Sequence, residues 1–248
     1  MTAAEGDAGL RVALVTGAGR RVGRAIALGL AVRGLHVVVH YNGSAAEAEE
    51  TAFTITEAGG SAEVAQADLR KVEEADRLVD AIVAGHGRLD VLVNSAAIML
   101  RTPVGETSAT QWDDMFALNV RAPYFLAQRA APTLRAARGC IVNIADLAAF
   151  ETWPAYVPHS MTKAAIVQMT RGLAHALAPG VRVNAVAPGV VMLPDGWSED
   201  DAEHLRRTTP LQRLGSPEDV VQAVLYLMDA EYVTGEIITV DGGRHVRT

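Results

Sequence analysis

The sequence predicts an α/β fold in which one domain holds a doubly wound parallel sheet. Two observations carry this prediction: short apolar segments alternate with helical segments along most of the chain, and a glycine-rich turn follows the first apolar segment. The apolar segments are unbroken and rich in valine and isoleucine. Such runs are typical of strands that are buried on both faces, as in a parallel sheet.

The predicted elements follow one another as strand and then helix. Six apolar runs are predicted strands, at 12–16, 36–41, 90–94, 140–145, 181–187 and 237–242. Six segments with apolar residues at helical spacing are predicted helices, at 21–33, 44–58, 71–86, 111–136, 160–178 and 216–229. The letters "SPED" at 216–219 mark a helix start, because serine caps a helix, proline fits its first turn and acids suit its positive end.

This alternation predicts a single Rossmann-type domain over 11–248, and we expect 1–10 to be a flexible tail. One stretch breaks the rhythm, since 188–215 follows a predicted strand and contains several prolines and glycines. A long excursion at the carboxyl end of a strand often covers a ligand. We therefore predict a substrate lid at about 188–215.

The bulk properties exclude several kinds of partner. The 248 residues carry a net charge of −7 without a basic block, so neither nucleic acid nor an anionic membrane is an expected partner. The chain contains no apolar run long enough to span a membrane. Its single cysteine, Cys140, excludes an internal disulfide and a cysteine-rich metal site. We expect a cytoplasmic protein without a metal site.

The turn after the first predicted strand has the character of a nucleotide-binding loop. Its glycines, Gly17, Gly19 and Gly23, lead directly into a helix. Glycines let backbone amides approach a pyrophosphate, and the helix N-terminus adds partial positive charge. The last glycine comes one residue later than in the commonest dinucleotide pattern, so the position of the turn supports the prediction more than its spacing does.

The residues around this turn indicate which dinucleotide binds. An NAD site has an acid about 20 residues further on for the ribose hydroxyls, yet no Asp or Glu stands between Gly23 and Glu47. Instead Arg20, Arg21 and Arg24 surround the turn, and guanidinium groups favour a 2′-phosphate. The sequence therefore predicts NADP(H). The alternative for some of these arginines is that they face solvent.

Further motifs occur in a fixed order along the chain. They are the turn that starts at Thr16, "ADL" with Asp68, "NSAA" from Asn94, "LNV" with Asn119, the lysine Lys163, "PG" at 188–189 and "DGG" at 241–243. On these motifs the chain resembles the short-chain dehydrogenase/reductase family from about residue 11 to residue 243. The resemblance implies a sheet of seven strands, an NADP(H)-dependent oxidoreductase, and a homotetramer formed through the segments 111–136 and 160–178.

Within that family the chain is most similar to pteridine reductases and bacterial dihydromonapterin reductases. Arg21 stands where the usual turn has its middle glycine, and Asp146 replaces the usual catalytic serine, both as in pteridine reductases. The resemblance implies that Asp68 meets the adenine, Asn94 its ribose and Lys163 the nicotinamide ribose. The implied cofactor-binding residues are Gly17, Gly19, Arg20, Arg21, Val22, Gly23, His40, Tyr41, Asn42, Ser44, Asp68, Leu69, Asn94, Ser95, Ala96, Lys163, Pro188 and Gly189.

The predicted substrate pocket is formed by Met99, Trp153, Val190 and Trp197. Pteridine reductases place an aromatic ring where this chain has Met99. The methionine sulfur could pack on a pterin, or Met99 could be an apolar wall residue without a role in pterin binding. Trp153 or Trp197 could provide a ring from the other side.

The most unusual stretch is "AYVPHSMTKAA", in which His159 stands four residues before Lys163, where the family has a tyrosine. That tyrosine gives a proton to the reduced group. Histidine is also a good acid, and Asp146 would stabilise its charged form, whereas the Lys163 cation opposes it. By resemblance Asn119 supports a proton relay. Tyr156 is a weaker candidate donor, because it is displaced by three residues.

Three roles for His159 follow from the sequence. It donates the proton with Asp146 beside it; or Asp146 or a water donates while His159 positions the substrate; or the site is inactive and the chain is an NADP-binding protein. The predicted function is an NADPH-dependent reductase that transfers a hydride to a C=N or C=O group of a dihydropterin- or dihydrofolate-type substrate. A ketoreductase acting on a small carbonyl compound and the inactive binding protein are the alternatives.

Overall fold

The computed structural model describes residues 9–193, 196 and 198–246. Within them seven parallel strands form one sheet in the order β3-β2-β1-β4-β5-β6-β7. The strands are β1 (Val12–Val15), β2 (His36–Tyr41), β3 (Ser61–Gln66), β4 (Val91–Asn94), β5 (Cys140–Ile144), β6 (Arg182–Pro188) and β7 (Ile237–Val240). The predicted fold class, a doubly wound parallel sheet, is confirmed.

Helices cover both faces of this sheet. They are α1 (Arg21–Val32), α2 (Ala45–Glu57), α3 (Val72–His86), α4 (Ala109–Phe116), α5 (Ala122–Ala136), α6 (Val157–Leu177), α7 (Glu199–Thr208) and α8 (Pro217–Asp229). Successive strand residues point to opposite faces, so Val15 packs with α1, α2 and α8, whereas Leu14 packs with α3, α5 and α6. Both faces are therefore dry, which explains the unbroken apolar runs of the sequence.

The strand β3 has no counterpart among the six apolar runs. Its sequence, SAEVAQ, is half exposed, and Val64 is itself exposed. The strand nevertheless pairs with β2 along all six of its residues. An edge strand needs backbone partners on one side only, and so it carries no continuous apolar run.

The predicted helix at 111–136 is divided by a π-helical turn at Ala117–Arg121, between α4 and α5. Asn119 lies in the middle of this turn and is buried. Helix α6 begins at Val157, earlier than predicted, and His159 consequently lies in its first turn. Both details place polar side chains against the candidate site.

The predicted lid segment, 188–215, contains α7, whose start is fixed by a capping box between Ser198 and Asp201. Trp197 lies outside the described residues, as do residues 1–8 of the predicted tail. Among the helices that the structure describes, none combines the length and the apolar character needed to cross a membrane.

The packing of α1 on α8 gives a prediction about stability. A Cβ at Gly29 would collide with Cγ1 of Val221 on α8, so Gly29→Ala should destabilise the fold by about 1–3 kcal/mol. Gly85→Ala is the matched control, because a Cβ at this exposed end of α3 meets nothing within 4 Å. It should stabilise the fold by about 1 kcal/mol. Urea unfolding measures both variants, and shifts of the same sign would contradict the packing.

Candidate active site

A cleft of about 1210 Å³ runs along the carboxyl edge of the sheet. The strands are parallel, so the loops that follow them all meet at this edge. Most of the predicted site residues line the cleft, namely Gly17, Arg20, Arg21, Val22, Gly23, His40, Tyr41, Asn42, Ser44, Asp68, Leu69, Ser95, Ala96, Met99, Asp146, Trp153, His159, Lys163, Pro188, Gly189 and Val190. The predicted residues Gly19, Asn94 and Asn119 lie behind this wall.

The glycine turn after β1 is packed too closely to hold side chains. Gly17 has a φ of +66°, and a Cβ there would lie 2.9 Å from the Cα of Ala96. A Cβ at Gly23 would collide with the carbonyl of Gly17, and one at Gly19 would lie 3.1 Å from the amide nitrogen of Ala48. The bare backbone at the start of α1 is therefore free to face an anion. This cradle fits the pyrophosphate of a dinucleotide.

Thr16 ties the glycine turn to the end of β4. Its Oγ1 accepts hydrogen bonds from the backbone amides of Ser95 (2.9 Å) and Ala96 (3.0 Å). Asn94 precedes them and donates through Nδ2 to Asn143 at 2.8 Å. Its buried Oδ1 has no hydrogen-bond partner among the described residues and is the atom left to accept from a ribose hydroxyl.

His40 supports the turn from below. Its Nδ1 accepts a hydrogen bond from the amide of Gly17 (3.1 Å), and its Nε2 lies 3.1 Å from the carbonyl of Ala67, to which it donates. Both ring nitrogens are thus used by the protein itself, and so the imidazole is not available to hold a 2′-phosphate. Burial lowers the pKa of His40 to about 4. The ring therefore holds the glycine turn in position.

The arginines around the turn divide into two groups. Arg24 points away from the cleft, and its guanidinium lies 3.5 Å from Glu50 and 3.4 Å from Thr54 on α2. Arg20 and Arg21 are exposed and line the cleft. In the loop after β3, Arg70 donates to the carboxylate of Asp68 at 2.9 Å, which lowers the pKa of that carboxyl.

The other end of the cleft holds His159 and Asp146. The His159 ring is 2% exposed, and its Nε2 lies 3.6 Å from Oδ2 of Asp146. Neither ring nitrogen has a hydrogen-bond partner within the described chain. The other carboxylate oxygen of Asp146 accepts from the amide of Ala148 at 2.8 Å, which fixes the carboxylate beside the imidazole. A buried imidazole and a partly exposed carboxylate thus face each other at 3.6 Å.

Lys163 lies one turn further along α6 and is buried in the same cleft. Its Nζ donates to the carbonyl of Ile144 at 2.9 Å. Burial lowers the pKa of Lys163, while the Asp146 carboxylate acts against this shift. An ammonium group that donates once to the protein retains two N–H donors for a ligand.

Asn119 holds the start of α6 in place. Its Nδ2 donates to the carbonyl of Ile98 (2.8 Å) and to Oγ1 of Thr162 (3.1 Å), and its Oδ1 accepts from the amide of Ile98 (2.9 Å). Thr162 in turn donates to the carbonyl of His159 at 2.7 Å. The π-helical turn is therefore linked to the backbone of the predicted acid. Thr162 was not a predicted site residue, since its role depends on contacts that are distant in sequence.

The substrate end of the cleft has a mixed wall. Met99 is 45% exposed, and Trp153 and Tyr156 line the same cleft. The indole of Trp153 donates to Glu151 at 2.9 Å. Arg244 also lines this end, although it comes from the last turn of the described chain. Arg244 was not a predicted site residue, because its place in the cleft depends on contacts that are distant in sequence.

A separate group of polar residues lies at the opposite edge of the sheet. The Nε2 atoms of His36 and His86 are 3.9 Å and 3.0 Å from Oε1 of Glu63. Among the described residues this is the group whose ligand atoms converge closely enough to hold a metal ion. His36 begins β2, at the amino edge of the sheet, so this group takes no part in the cleft.

The environment of His40 gives a prediction about acid stability. The folded-state pKa of about 4 lies below the ordinary value of 6.5. The unfolded chain therefore binds this proton first, and the stabilisation is complete above pH 6.5 and is lost as the pH falls toward 4. The loss should be about 3 kcal/mol.

Urea unfolding at several pH values should show this loss in the native protein and a flatter profile in His40→Gln. The exposed His204 on α7 provides the control, since His204→Gln should keep the native slope. An unchanged slope in His40→Gln would contradict the assignment.

Comparison with known proteins agrees with this geometry. Residues 17–245 match the family described as enoyl-(acyl carrier protein) reductase. The chain is 38% identical over 245 residues to a protein of Streptomyces violaceoruber named as ketoacyl reductase 2 of the granaticin polyketide synthase, covering 95% of this chain and 96% of that one. It is 35% identical over 240 residues to the 3-oxoacyl-(acyl-carrier-protein) reductase FabG of Staphylococcus aureus, covering 94% and 98%.

A solved structure described as a short-chain alcohol dehydrogenase of Sinorhizobium meliloti 1021 superposes with a TM-score of 0.91 at 33% identity, covering 98% of this chain and 99% of that one. These relatives carry the names of carbonyl and alcohol enzymes, and none of the three is named for a pterin. The family expectation from the motifs is confirmed, whereas the pteridine subgroup gains no support. The chain belongs to the short-chain dehydrogenase/reductase family, and it is an oxidoreductase of the kind that uses NAD(P)(H).

Proposed function

We propose that this protein is an NADPH-dependent ketoreductase in which His159 supplies the proton to the reduced carbonyl oxygen. The observation that carries the proposal is the group of His159, Asp146 and Lys163 in the same cleft as the glycine turn, in which the histidine and the lysine are buried. The names of the relatives support a carbonyl substrate.

The choice of a carbonyl over a pterin rests on the substrate wall. Arg21 and Asp146 are the residue types that pteridine reductases have at these positions, and they favour a pterin substrate. The position of the expected aromatic ring is taken by Met99, which is half exposed and makes a less selective platform. A ketoreductase needs no such platform, because a small carbonyl compound is recognised through its reacting oxygen.

The preference for NADPH rests on charge at the open end of the cleft. Arg20 and Arg21 are exposed there, while Tyr41 and Asn42, at the end of β2, carry no acidic group that would repel a phosphate. Ser44, at the start of α2, adds a hydroxyl donor. The bound cofactor supplies the hydride. The protein binds it, excludes water and delivers a proton.

The proton has a defined place to be held. A proton on Nε2 of His159 lies toward the Asp146 carboxylate, which is fixed by Ala148 and stabilises the imidazolium. The Lys163 ammonium group would repel that charge, and burial lowers the pKa of Lys163 itself. His159 therefore has a carboxylate on one side and the open cleft, where a substrate oxygen would lie, on the other. In this arrangement Asn119 is a positioning residue, since it reaches His159 through Thr162.

The first prediction from this proposal concerns the acid. His159→Gln should lower kcat by about 10²–10⁴ for a small ketone, which is the usual contribution of a positioned acid. NADPH binding, measured by fluorescence, should stay close to native. His175→Gln, at an exposed position on the same helix, and Tyr156→Phe, in the cleft wall, should retain activity.

The pH dependence distinguishes the three roles of His159. An imidazole ordinarily loses its proton near pH 6.5 and a phenol near pH 10, so His159→Tyr should move the alkaline limb of kcat upward by up to about 3 pH units. An alkaline limb that follows Asp146→Asn but not His159→Gln would assign the proton to Asp146. A native rate near zero that His159→Tyr restores would show that the protein binds NADPH without reducing ketones. Dihydropterin, included in the substrate panel, would revive the pteridine hypothesis if it were the better substrate.

The second prediction concerns the cofactor. Arg21 has a φ of +53°, in the left-handed region that favours glycine. Arg21→Gly should therefore raise stability by up to about 1 kcal/mol, yet weaken NADPH binding by about 10- to 100-fold through the loss of a charged hydrogen bond.

NADH binding should hardly change in Arg21→Gly, because NADH lacks the 2′-phosphate. Arg24→Ala is the control, since Arg24 pairs with Glu50 outside the cleft. Equal loss of NADPH and NADH binding would contradict the role of Arg21 at the phosphate.

A further inference from the structure

The last turn of the described chain is built rigidly at the substrate end of the cleft. Asp241 is almost fully buried, and its carboxylate accepts hydrogen bonds from the amides of Gly243 (2.9 Å) and His245 (2.7 Å) and from the ring of His245 (2.6 Å). Gly242 and Gly243 have positive φ, of +66° and +87°. The side chain between these anchors is Arg244, and its backbone is therefore fixed before any ligand arrives.

The same turn packs against the segment that follows α7. The amide of Leu211 donates to the carbonyl of Gly242 at 3.1 Å, and a Cβ at Gly242 would lie 2.7 Å from Cγ2 of Thr209. A Cβ at Gly243 would lie 3.3 Å from Pro210. These contacts place Arg244 between the predicted lid and the loop after β5.

The guanidinium of Arg244 has hydrogen-bonding capacity that the protein does not use. Its side chain is 16% exposed, and both Nε and Nη1 are shielded without a hydrogen-bond partner in the described part of the chain. The nearest carboxylate oxygen, Oε1 of Glu151, is 3.9 Å from Nε, which is too long for a hydrogen bond. The other oxygen of Glu151 is held by Trp153 at 2.9 Å. Leaving charged donors shielded and unsatisfied is costly, and an anionic ligand would remove that cost.

The charged side chains that line the cleft also favour an anionic ligand. Arg101, Lys163 and Arg244 line the cleft, and the acids near them are Asp146 beside Lys163 and Glu151 beside Arg244. Lys163 and Asp146 are already assigned to the reacting carbonyl. Arg101 and Arg244 remain as positive charges without such a task.

We infer that Arg244 binds an anionic group of the substrate, so that the preferred substrates are keto acids rather than neutral ketones. The inference rests on the proposed carbonyl reduction and specifies its substrate class. A carboxylate of the substrate itself and a phosphate on a thioester carrier arm present the same chemistry to a guanidinium. Arg244 is a specificity residue in this assignment and takes no part in proton transfer.

A matched pair of substrates tests the assignment: 3-oxobutanoate and its methyl ester, which differ in the negative charge. The native enzyme should prefer the acid in kcat/KM. Arg244→Met should lose about 10- to 100-fold in kcat/KM for the acid, mainly through KM, since the loss is that of charge-assisted hydrogen bonds. The ester should change by less than about twofold. Arg244→Lys should recover part of the preference, because it keeps the charge without the fork of donors.

Two further variants sharpen the test. Glu151→Gln removes the neighbouring carboxylate, so the positive charge of Arg244 is less compensated. The ratio of kcat/KM for the acid to kcat/KM for the ester should therefore rise. Arg207→Met removes an exposed arginine from α7 and should leave kcat/KM unchanged for both the acid and the ester. Thermal unfolding and NADPH binding should be native-like in Arg244→Met and Arg244→Lys.

A binding measurement separates this inference from the proposed function. Butanoate cannot be reduced, and it should bind to the native protein with NADP⁺ present and not to Arg244→Met in calorimetry. If the native protein reduces neither 3-oxobutanoate nor its ester, the proposed ketoreductase function fails, whereas Arg244-dependent butanoate binding would still support the anion site.

The inference is overturned if the native enzyme does not distinguish acid from ester, or if Arg244→Met reduces activity on both equally. The oxobutanoyl thioesters of coenzyme A and of N-acetylcysteamine distinguish the source of the anion, since the second lacks phosphate. A loss in Arg244→Met confined to the coenzyme A thioester would assign the site to a phosphate and would overturn the preference for keto acids.

Discussion

The site depends on a close approach of two backbones where the order of the strands reverses. β1 lies between β2 and β4, and the loops after β1 and β4 leave the sheet on either side of that point. Gly17 approaches Ala96 so closely that no Cβ fits, and Thr16 fastens both amides of the second loop. If this approach were looser, the cradle at the start of α1 would lose its shape. The polar residues further along the cleft would then no longer be held in fixed positions relative to the glycine turn.

At the end of the cleft near α6, two residues differ together from the family pattern: His159 replaces the tyrosine and Asp146 replaces the serine. A tyrosine would present a neutral phenol, for which a serine hydroxyl is a suitable neighbour. His159 presents a ring that can be charged, and Asp146 gives that charge a counterpart at 3.6 Å. Lys163 lies in the same buried space, where desolvation disfavours its own charge. Three groups that can each carry a charge therefore lie together at one end of the cleft.

The substrate end is formed by segments that meet only in the folded chain. Asp146 and Glu151 follow β5, α7 follows β6 and Arg244 follows β7. These neighbouring parallel strands bring their loops to one place, so the proposed proton donor and the candidate anion site lie in one cleft. In the proposed function, α6 and the loop after β5 carry the residues for the reaction, and in the further inference the turn after β7 carries a residue that selects the substrate.

The sequence by itself determined the fold class, the glycine turn, the spacing of His159 and Lys163 and six of the seven strands, because each of these depends on a pattern of residues that are close together in the chain. Tertiary structure decided the rest. β3 pairs as an edge strand without an apolar run, and a π-helical turn interrupts the helix around Asn119. The ring of His40 is used by Gly17 and Ala67, and Arg24 turns toward α2. Arg244 reaches the cleft from the far end of the chain. Burial, pairing and charge at these positions arise from residues that are distant in sequence, and no local pattern records such contacts.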